Sequence, residues 1–359
     1  MEKNKNHFVV IMAGGIGTRF WPVSKKSFPK QFMDILGTGQ SLITQTFNRF
    51  AHFVPTENIY IVTNEDYIDL VQEHIPNISK EQILAEPVGK NTAPCVALAS
   101  YYIQQKNPDA TCIVAPSDHL ITDELQFIHI AQKALDFASN NDALVTLGIT
   151  PSRPDTGYGY IQFQPTALEN GIHPVKTFTE KPTEDLAKTF IESKEFLWNA
   201  GIFAWSVKTI TNRFEANLTE IHSLFCDIDF NGNFKNSVTV AYGQSPSISI
   251  DYGIMEKEKN VFVIPSNFGW SDVGTWKSLW EVSSKDKFEN GSIGQNIRIY
   301  DSANSLVYSP NEKLVVLTGV DNLVVVDSPD VLLVMNKDKE QELRTVVAEV
   351  KEKFKGKYN

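Results

Sequence analysis

Apolar and polar positions alternate in blocks along roughly the first 150 residues. Short apolar runs, Phe8–Met12, Ile59–Thr63, Ile83–Ala85, Thr111–Ala115 and Leu144–Gly148, predict strands buried on both faces. Between them, Leu42–Phe50, Tyr67–His74, Ala93–Gln105 and Leu125–Ser139 carry apolar residues at helical spacing. Such alternation predicts an α/β fold with an open, mostly parallel sheet covered by helices. It also puts ligands beyond the carboxyl ends of the strands. Further along, Tyr158–Phe163, Val175–Glu180 and Val261–Pro265 read as strands, and Glu184–Glu192 and Thr275–Val282 as helices.

The pattern changes near residue 284. Ile297–Tyr300, Ser305–Tyr308, Leu314–Leu317, Leu323–Val326 and Val331–Met335 are short apolar segments separated by turn residues, which predicts a small all-β unit. The charged stretch Lys337–Lys355, with Leu343, Val346, Val347 and Val350 at helical spacing, predicts one amphipathic helix packed on that unit. Two domains are therefore expected, 1–283 and 284–359, the second a structural or dimerising appendage.

Composition narrows the classes. A chain of 359 residues with 42% hydrophobic content can bury a large core. No window approaches the ~18 uninterrupted apolar residues of a membrane helix, and the polar start MEKNKNH does not resemble a signal peptide. Cys95, Cys112 and Cys226 form no CxxC pair, which points to a reducing, cytoplasmic setting without a zinc or disulfide framework. A net charge of −10 disfavours nucleic acid as a partner. An acidic protein that handles phosphates needs local cations.

The stretch Phe8–Phe32, FVVIMAGGIGTRFWPVSKKSFPKQF, supplies them. A buried strand stops at Gly14, Gly15 and Gly17, and Arg19, Lys25, Lys26 and Lys30 follow. Glycine lets main-chain N–H groups approach phosphate oxygens, and cations nearby can hold the same oxygens. Neither a Walker loop nor a dinucleotide fingerprint fits: no Gly-Lys-Ser/Thr follows, and Phe20 and Pro22 stand where a third glycine would open a helix. The competing explanation is a tight turn followed by a solvated basic segment.

Other candidates follow later strands. In Glu86-Pro87-Val88-Gly89-Lys90-Asn91-Thr92-Ala93-Pro94, Asn91 or Thr92 could cap the next helix, or the loop could meet a nucleotide base. Pro116-Ser117-Asp118-His119 puts a carboxylate at a strand end, where it could hold Mg²⁺ or cap its own turn. Arg153-Pro154-Asp155-Thr156-Gly157-Tyr158-Gly159-Tyr160, Phe178-Thr179-Glu180-Lys181-Pro182 and Trp198-Asn199-Ala200-Gly201-Ile202-Phe203 combine aromatic residues with groups suited to a sugar phosphate. Glu180 can accept from hydroxyls, Asn199 can donate and accept, and Lys181 can meet a phosphate. In Gly269-Trp270-Ser271-Asp272-Val273-Gly274, Asp272 is either the N-cap of the following helix or a second carboxylate for Mg²⁺.

Seven segments, GGIGTRFWPVSKKSFPKQF, EPVGKNTAP, PSDH, PDTGYGYI, FTEKP, WNAGIF and GWSDVGTW, occur in one order and span about three quarters of the chain. Together they resemble the sugar-1-phosphate nucleotidylyltransferases, most closely the mannose-1-phosphate guanylyltransferase group. The resemblance implies a Rossmann-like catalytic domain of the nucleotide-diphospho-sugar transferase type and a small left-handed β-helix-like domain. It implies GTP and mannose 1-phosphate as partners, Mg²⁺ as cofactor and a homodimer as a possible assembly. Gly14, Gly15, Gly17, Thr18, Arg19, Lys30 and Ser117 would hold and polarise the triphosphate, with Glu86, Asn91 and Thr92 near the base. Asp118 and Asp272 would share Mg²⁺, and Gly157, Tyr158, Glu180, Lys181 and Asn199 would bind the sugar 1-phosphate. Phe20 and Lys25 depart from the Leu and Arg more usual in the family, so Lys25 is given no fixed role. No metal-binding cupin pattern follows, so no attached isomerase is expected.

Three alternatives stand beside this. Another hexose or a heptose 1-phosphate could be the substrate. A non-catalytic sugar-nucleotide-binding regulator could keep the fold, but Arg19, Lys30, Asp118 and Asp272 would have no reason to persist together. A glycosyltransferase would carry a DxD-type motif at a strand end, whereas Asp227-Ile228-Asp229 follows a helical stretch.

Overall fold

The apolar run after His7 forms the strand His7–Met12, buried as far as Ile11 and flanked by a parallel neighbour on each side. The computed structural model describes residues 3–15, 17–168 and 170–358. Among these, no helix is long and apolar enough to cross a membrane. By its internal contacts the chain forms two compact units. The first holds residues up to Gly14, Thr46–Ser117 and Ile121–Trp270; the second holds Gly15–Gln45, Asp118–Leu120 and the chain from Ser271 onward.

The first unit is built on a nine-stranded sheet. In order across it lie Ile83–Glu86, Ile59–Asn64, His7–Met12, Thr111–Pro116, Phe196–Ser206, Leu144–Ile149, Val261–Ser266, His173–Thr179 and Tyr160–Phe163. Only Phe196–Ser206 and His173–Thr179 run against the rest, so the expected mostly parallel sheet is present. The register pairs Met12 with Val62 and Pro116, and Asn64 with Glu86, so these strand ends share one edge. Strand order reverses at His7–Met12, with its chain successors on one side and Thr111–Pro116 on the other. An open α/β sheet binds ligands at such a switch point.

Two helices, Val207–Asn217 and Phe234–Gln244, escaped the sequence reading, while Thr219–Cys226 is the helical stretch expected before Asp227. They bury Phe214, Phe225 and Tyr242 in the cluster that also holds helix Thr92–Lys106, which is buried on all sides from Ala93 to Tyr101. Their β-branched and asparagine-rich sequences are weak helix formers, so tertiary packing decides their conformation. In the loop after Cys226, the Asp229 carboxylate accepts from the N–H groups of Asn231, Gly232 and Asn233 at 3.2, 2.8 and 2.9 Å. The DxD-like pattern is thus a turn closing on itself.

In the second unit, Gly291–Ile293, Leu306–Tyr308 and Leu323–Asp327 form a parallel ladder closed by antiparallel Leu332–Asn336, and Ile297–Tyr300 pairs with Val315–Thr318. Ile297 lies beside Val315 and Leu306 beside Val324, so 315 − 297 and 324 − 306 both give a coil repeat of 18 residues. The apolar segments that start at Ile297, Ser305, Leu314, Leu323 and Val331 in the sequence recur at about half of that coil. Phe20, Trp21, Ile35, Trp276 and Leu279 share one apolar cluster with Ile293, Leu306, Tyr308, Val324, Val326 and Leu343. The single terminal helix expected over Lys337–Lys355 is instead a 3-10 segment, Lys337–Glu342, followed by the α-helix Leu343–Lys353. The break is at Lys339, which leaves helical φ/ψ, while buried Lys337 donates to the Asn304 carbonyl at 2.7 Å and sits over the Trp280 ring. Leu343, Val347 and Val350 pack as expected, but Val346 is exposed.

Candidate functional site

The candidate residues fall into two clusters, one in each unit. In the second unit the chain leaves the glycine turn in a conformation that only glycine takes easily. Gly17 has φ +64°, and a Cβ there would lie 2.7 Å from Lys30 Cβ. That close approach seats Lys30 against the turn. Its side chain is 3% exposed, donates to Asp118 Oδ2 at 3.0 Å and to the Asp272 main-chain carbonyl at 2.7 Å, and lies 5.5 Å from the centre of the Phe20 ring. Phe20 is fully buried against Trp276, at 4.8 Å between ring centres. The expected Lys30, Asp118 and Asp272 are thereby brought together.

Burial opposes ionisation of Asp118, but the Lys30 ammonium and His119 outweigh it and hold the carboxyl below its ordinary value. The Asp272 carboxylate accepts from the Gly274 N–H at 3.0 Å. It is not the cap of the next helix: Thr275 caps Trp276–Val282 and exchanges bonds with Ser278 in a capping box. Among the described residues, no three His, Cys, Asp or Glu cluster as a protein-only metal cage. Asp118 and Asp272 supply hard carboxylate oxygens, the donor type that Mg²⁺ takes beside phosphate and water.

The segment following the glycines is held in place from the C-terminal side of the same unit. Trp21 donates to the Tyr358 carbonyl at 2.7 Å and its own carbonyl accepts from Trp276 at 3.1 Å. Lys25 bonds both Asp330 oxygens, at 2.9 and 2.8 Å, which gives the family departure at that position a structural use. Arg19 lines a small cavity with Thr275, Glu340 and Arg344, and Gly15 is exposed with open space around it. The Thr18 side chain lies outside the described residues.

In the first unit, Glu86 is buried at its strand end and accepts from the Tyr242 hydroxyl at 2.9 Å. Its other oxygen lies beside Gly14, where a Cβ would come within 2.9 Å of it. Burial pushes the Glu86 carboxyl up to about 7, against the Tyr242 bond, which lowers it. Asn91 accepts from the Thr92 N–H at 2.9 Å as the N-cap of helix Thr92–Lys106, and the Thr92 hydroxyl accepts from the Ile250 N–H at 2.9 Å. Their structural uses are therefore real. Ser117 is buried, its N–H bonded to the Met12 carbonyl at 3.0 Å.

Glu86 has a consequence for stability. Between its ordinary 4.5 and about 7, the folded state keeps a proton that the unfolded state has lost. Its contribution is whole at low pH, falls as pH rises through that window and levels off above it. Glu86→Gln keeps an acceptor for Tyr242 and cannot ionise. Relative to wild type, its unfolding free energy is expected to rise between pH 5 and 8 by up to about 3 kcal/mol. Urea titrations of both proteins at the two pH values measure this; a pH-independent difference contradicts it.

The sugar-phosphate candidates also converge. The Asn199 N–H donates to the Gly159 carbonyl at 2.8 Å, and the Lys181 N–H to the Tyr158 carbonyl at 3.2 Å. A Cβ at Gly159 would collide with Glu180 Oε2, so glycine is what lets that carboxylate lie across the strand. The exposed Lys181 ammonium sits 2.6 Å from Glu180 Oε1. Gly157 donates to Asp155 Oδ1 at 2.8 Å, and Tyr158 packs edge-on to Trp198 and Trp270. Arg153 lies over both Tyr158 and Trp198. Tyr242, Asp251 and Glu256 were not singled out in the sequence, and Gly159 stood there only as a member of its segment. Asp251 accepts from Asn199 Nδ2 at 2.9 Å, and Glu256 accepts from the Glu180 N–H at 3.0 Å. Burial, then the Glu180 charge, pushes the Asp251 carboxyl up to about 7.

Comparison with known proteins adds to this geometry. The sequence model of the nucleotidyl transferase family matches residues 8–289, and that of the MannoseP isomerase/GMP-like beta-helix domain matches residues 294–350. A mannose-1-phosphate guanylyltransferase of Salmonella muenchen is 38% identical over 351 residues, covering 94% of this chain and 72% of that protein. The alginate biosynthesis protein AlgA of Pseudomonas aeruginosa is 35% identical over 352 residues, 95% of this chain and 71% of its own. A solved structure described as a mannose-1-phosphate geranyltransferase from Thermus thermophilus is similar with a TM-score of 0.87 at 32% identity, covering 96% of this chain and 99% of that one.

Proposed function

Because this chain belongs to the nucleotidyl transferase family, we propose that it transfers a guanylyl group from GTP to mannose 1-phosphate, releasing pyrophosphate and forming GDP-mannose. The observation that carries this reading is the buried Lys30 ammonium, held by Asp118 and the Asp272 carbonyl directly behind a glycine turn. Identity of 38% to an enzyme of that name supports the choice of base and sugar.

A phosphate oxygen of the sugar 1-phosphate attacks the α-phosphorus of the triphosphate, and the bond to the pyrophosphate oxygen breaks in line. No side chain forms a covalent bond. Both reactants are anions, so the chain's task is to position them and offset their charge. Main-chain N–H groups at Gly14, Gly15 and Gly17, with Lys30, Arg19 and Thr18, take the triphosphate, and Ser117 borders it. Glu86, part-protonated near neutrality, can donate or accept at the base, with Asn91 and Thr92 at its edge. Lys181 meets the sugar phosphate, Glu180 and Asn199 meet hydroxyls, and Gly157 and Tyr158 close the subsite. Asp118 and Asp272 would hold Mg²⁺, which when bound supplies positive charge at the phosphate oxygens. A charge pair at 4 Å is worth about 1 kcal/mol in water and about 4 at an effective dielectric of 20, so sheltered cations such as Lys30 count for more than exposed ones.

Pyrophosphate release measured across the four nucleoside triphosphates and a panel of hexose and heptose 1-phosphates tests the reading. GTP with mannose 1-phosphate should give the highest kcat/KM. Activity confined to another pair overturns the named substrates, and none in any pair overturns the enzyme.

A further inference from the structure

We propose that Asp251 is the positioning residue of the sugar-phosphate subsite, fixing through one hydrogen bond the direction in which Asn199 donates beside Glu180. The proposal rests on the reading of Glu180, Lys181 and Asn199 as groups that meet a sugar phosphate.

Asn199 lies where the pairing of its strand with Leu144–Ile149 slips, between Thr146 and Gly148. An irregularity of this kind turns a side chain away from its regular direction. The Asn199 carboxamide makes three bonds. Oδ1 accepts from the Gly201 N–H at 3.0 Å and from the Thr146 hydroxyl at 3.1 Å; Nδ2 donates to Asp251 Oδ1 at 2.9 Å. A main-chain N–H can only donate, so the Gly201 bond assigns the oxygen without ambiguity. Both lone pairs of that oxygen are then used, and one Nδ2 hydrogen is left for a ligand. Two bonds on Oδ1 hold the carboxamide by its oxygen end, within the angular tolerance of hydrogen bonds. The bond to Asp251 holds it by the nitrogen end and narrows the aim of the remaining N–H.

Asp251 can do this because its own segment is anchored. The turn Asp251–Met255 is preceded by Ile250, whose N–H donates to Thr92 Oγ1 at 2.9 Å, and by Ile248, whose carbonyl accepts from the Ala93 N–H at 3.1 Å. Beyond the turn, Glu256 holds the Glu180 main chain at 3.0 Å. One segment, 248–256, therefore braces both hydroxyl-facing residues from behind. The anchors at 248 and 250 use main-chain atoms and survive any change of the Asp251 side chain.

Two variants test the proposal. Asp251→Ala removes the acceptor, while Asp251→Asn keeps an oxygen that can take the same bond without the charge. Steady-state kinetics should show KM for the sugar 1-phosphate rising about tenfold in Asp251→Ala, with KM for the nucleoside triphosphate changed by less than about twofold. Asp251→Asn should return the sugar-phosphate KM to within about threefold of wild type. An unchanged Asp251→Ala, an equal rise for both substrates, or an Asp251→Asn as impaired as the alanine variant overturns the proposal. A wild type that turns over no sugar 1-phosphate overturns the functional reading first and this inference with it.

Discussion

Lys30→Met is expected to lower kcat/KM for the nucleoside triphosphate by about a hundredfold or more, the range seen when one preorganised charge-stabilising donor is removed. Methionine keeps a stem of similar length against Phe20, so packing changes little while the ammonium goes. Two losses follow. The triphosphate loses a cation that water barely screens, since the side chain is 3% exposed. Asp118 loses the partner that holds its carboxyl ionised, and its pKa climbs. Because the Asp118 side chain is 33% exposed, solvent takes up part of that loss. The cost in stability should then stay near 1–2 kcal/mol, below that of breaking a fully buried pair. Kinetics beside thermal melting separates the two effects. A folded Lys30→Met enzyme with near-normal kcat/KM would remove Lys30 from the phosphate site.

Asp272→Asn is expected to lower turnover by at least about tenfold with little change in melting temperature. Its selectivity comes from what the substitution leaves alone. Lys30 bonds the main-chain carbonyl at this position, which the variant retains. The turn onto the Gly274 N–H needs only an oxygen, which asparagine supplies, and the following helix is capped by Thr275. These contacts stay while the negative charge is lost, so a rate loss with an unchanged melting temperature reports that charge. Titrating Mg²⁺ extends the test: a higher Mg²⁺ requirement than wild type is expected, and a normal rate at saturating Mg²⁺ sinks the shared-metal assignment.

Much of this was readable because chemistry follows strand ends in this class of sheet. The glycines from Gly14 and the carboxylate of Asp118 stand just after apolar runs, and Lys30 ends the basic segment that follows the first of them, so residue types alone suggest a glycine turn, a cation and a carboxylate. Residues that gain meaning from distant partners were not readable. Tyr242 matters through Glu86, 156 positions away, and Asp251 through Asn199, 52 away; nothing in their neighbourhoods marks them. Val207–Asn217 and Phe234–Gln244 stayed hidden for a related reason, since their weak helix formers are held by packing in the cluster around Thr92–Lys106. Where local chemistry offered two uses, the outcome varied. Asn91 does cap its helix, whereas Asp272 leaves that task to Thr275.

The 18-residue coil bears on how such a chain can be divided. Family boundaries separate a transferase segment from a coil segment along the sequence, as if one could be inherited or exchanged without the other. Phe20, Trp21 and Trp276, which flank the glycine turn and the Asp272 loop, rest on Leu306, Tyr308, Val324 and Val326 of the coil. What is separable along the chain is fused in the core. A coil exchanged without matching changes at Phe20, Trp21 and Trp276 would leave gaps or clashes in that shared core, so the phosphate loop would lose its support.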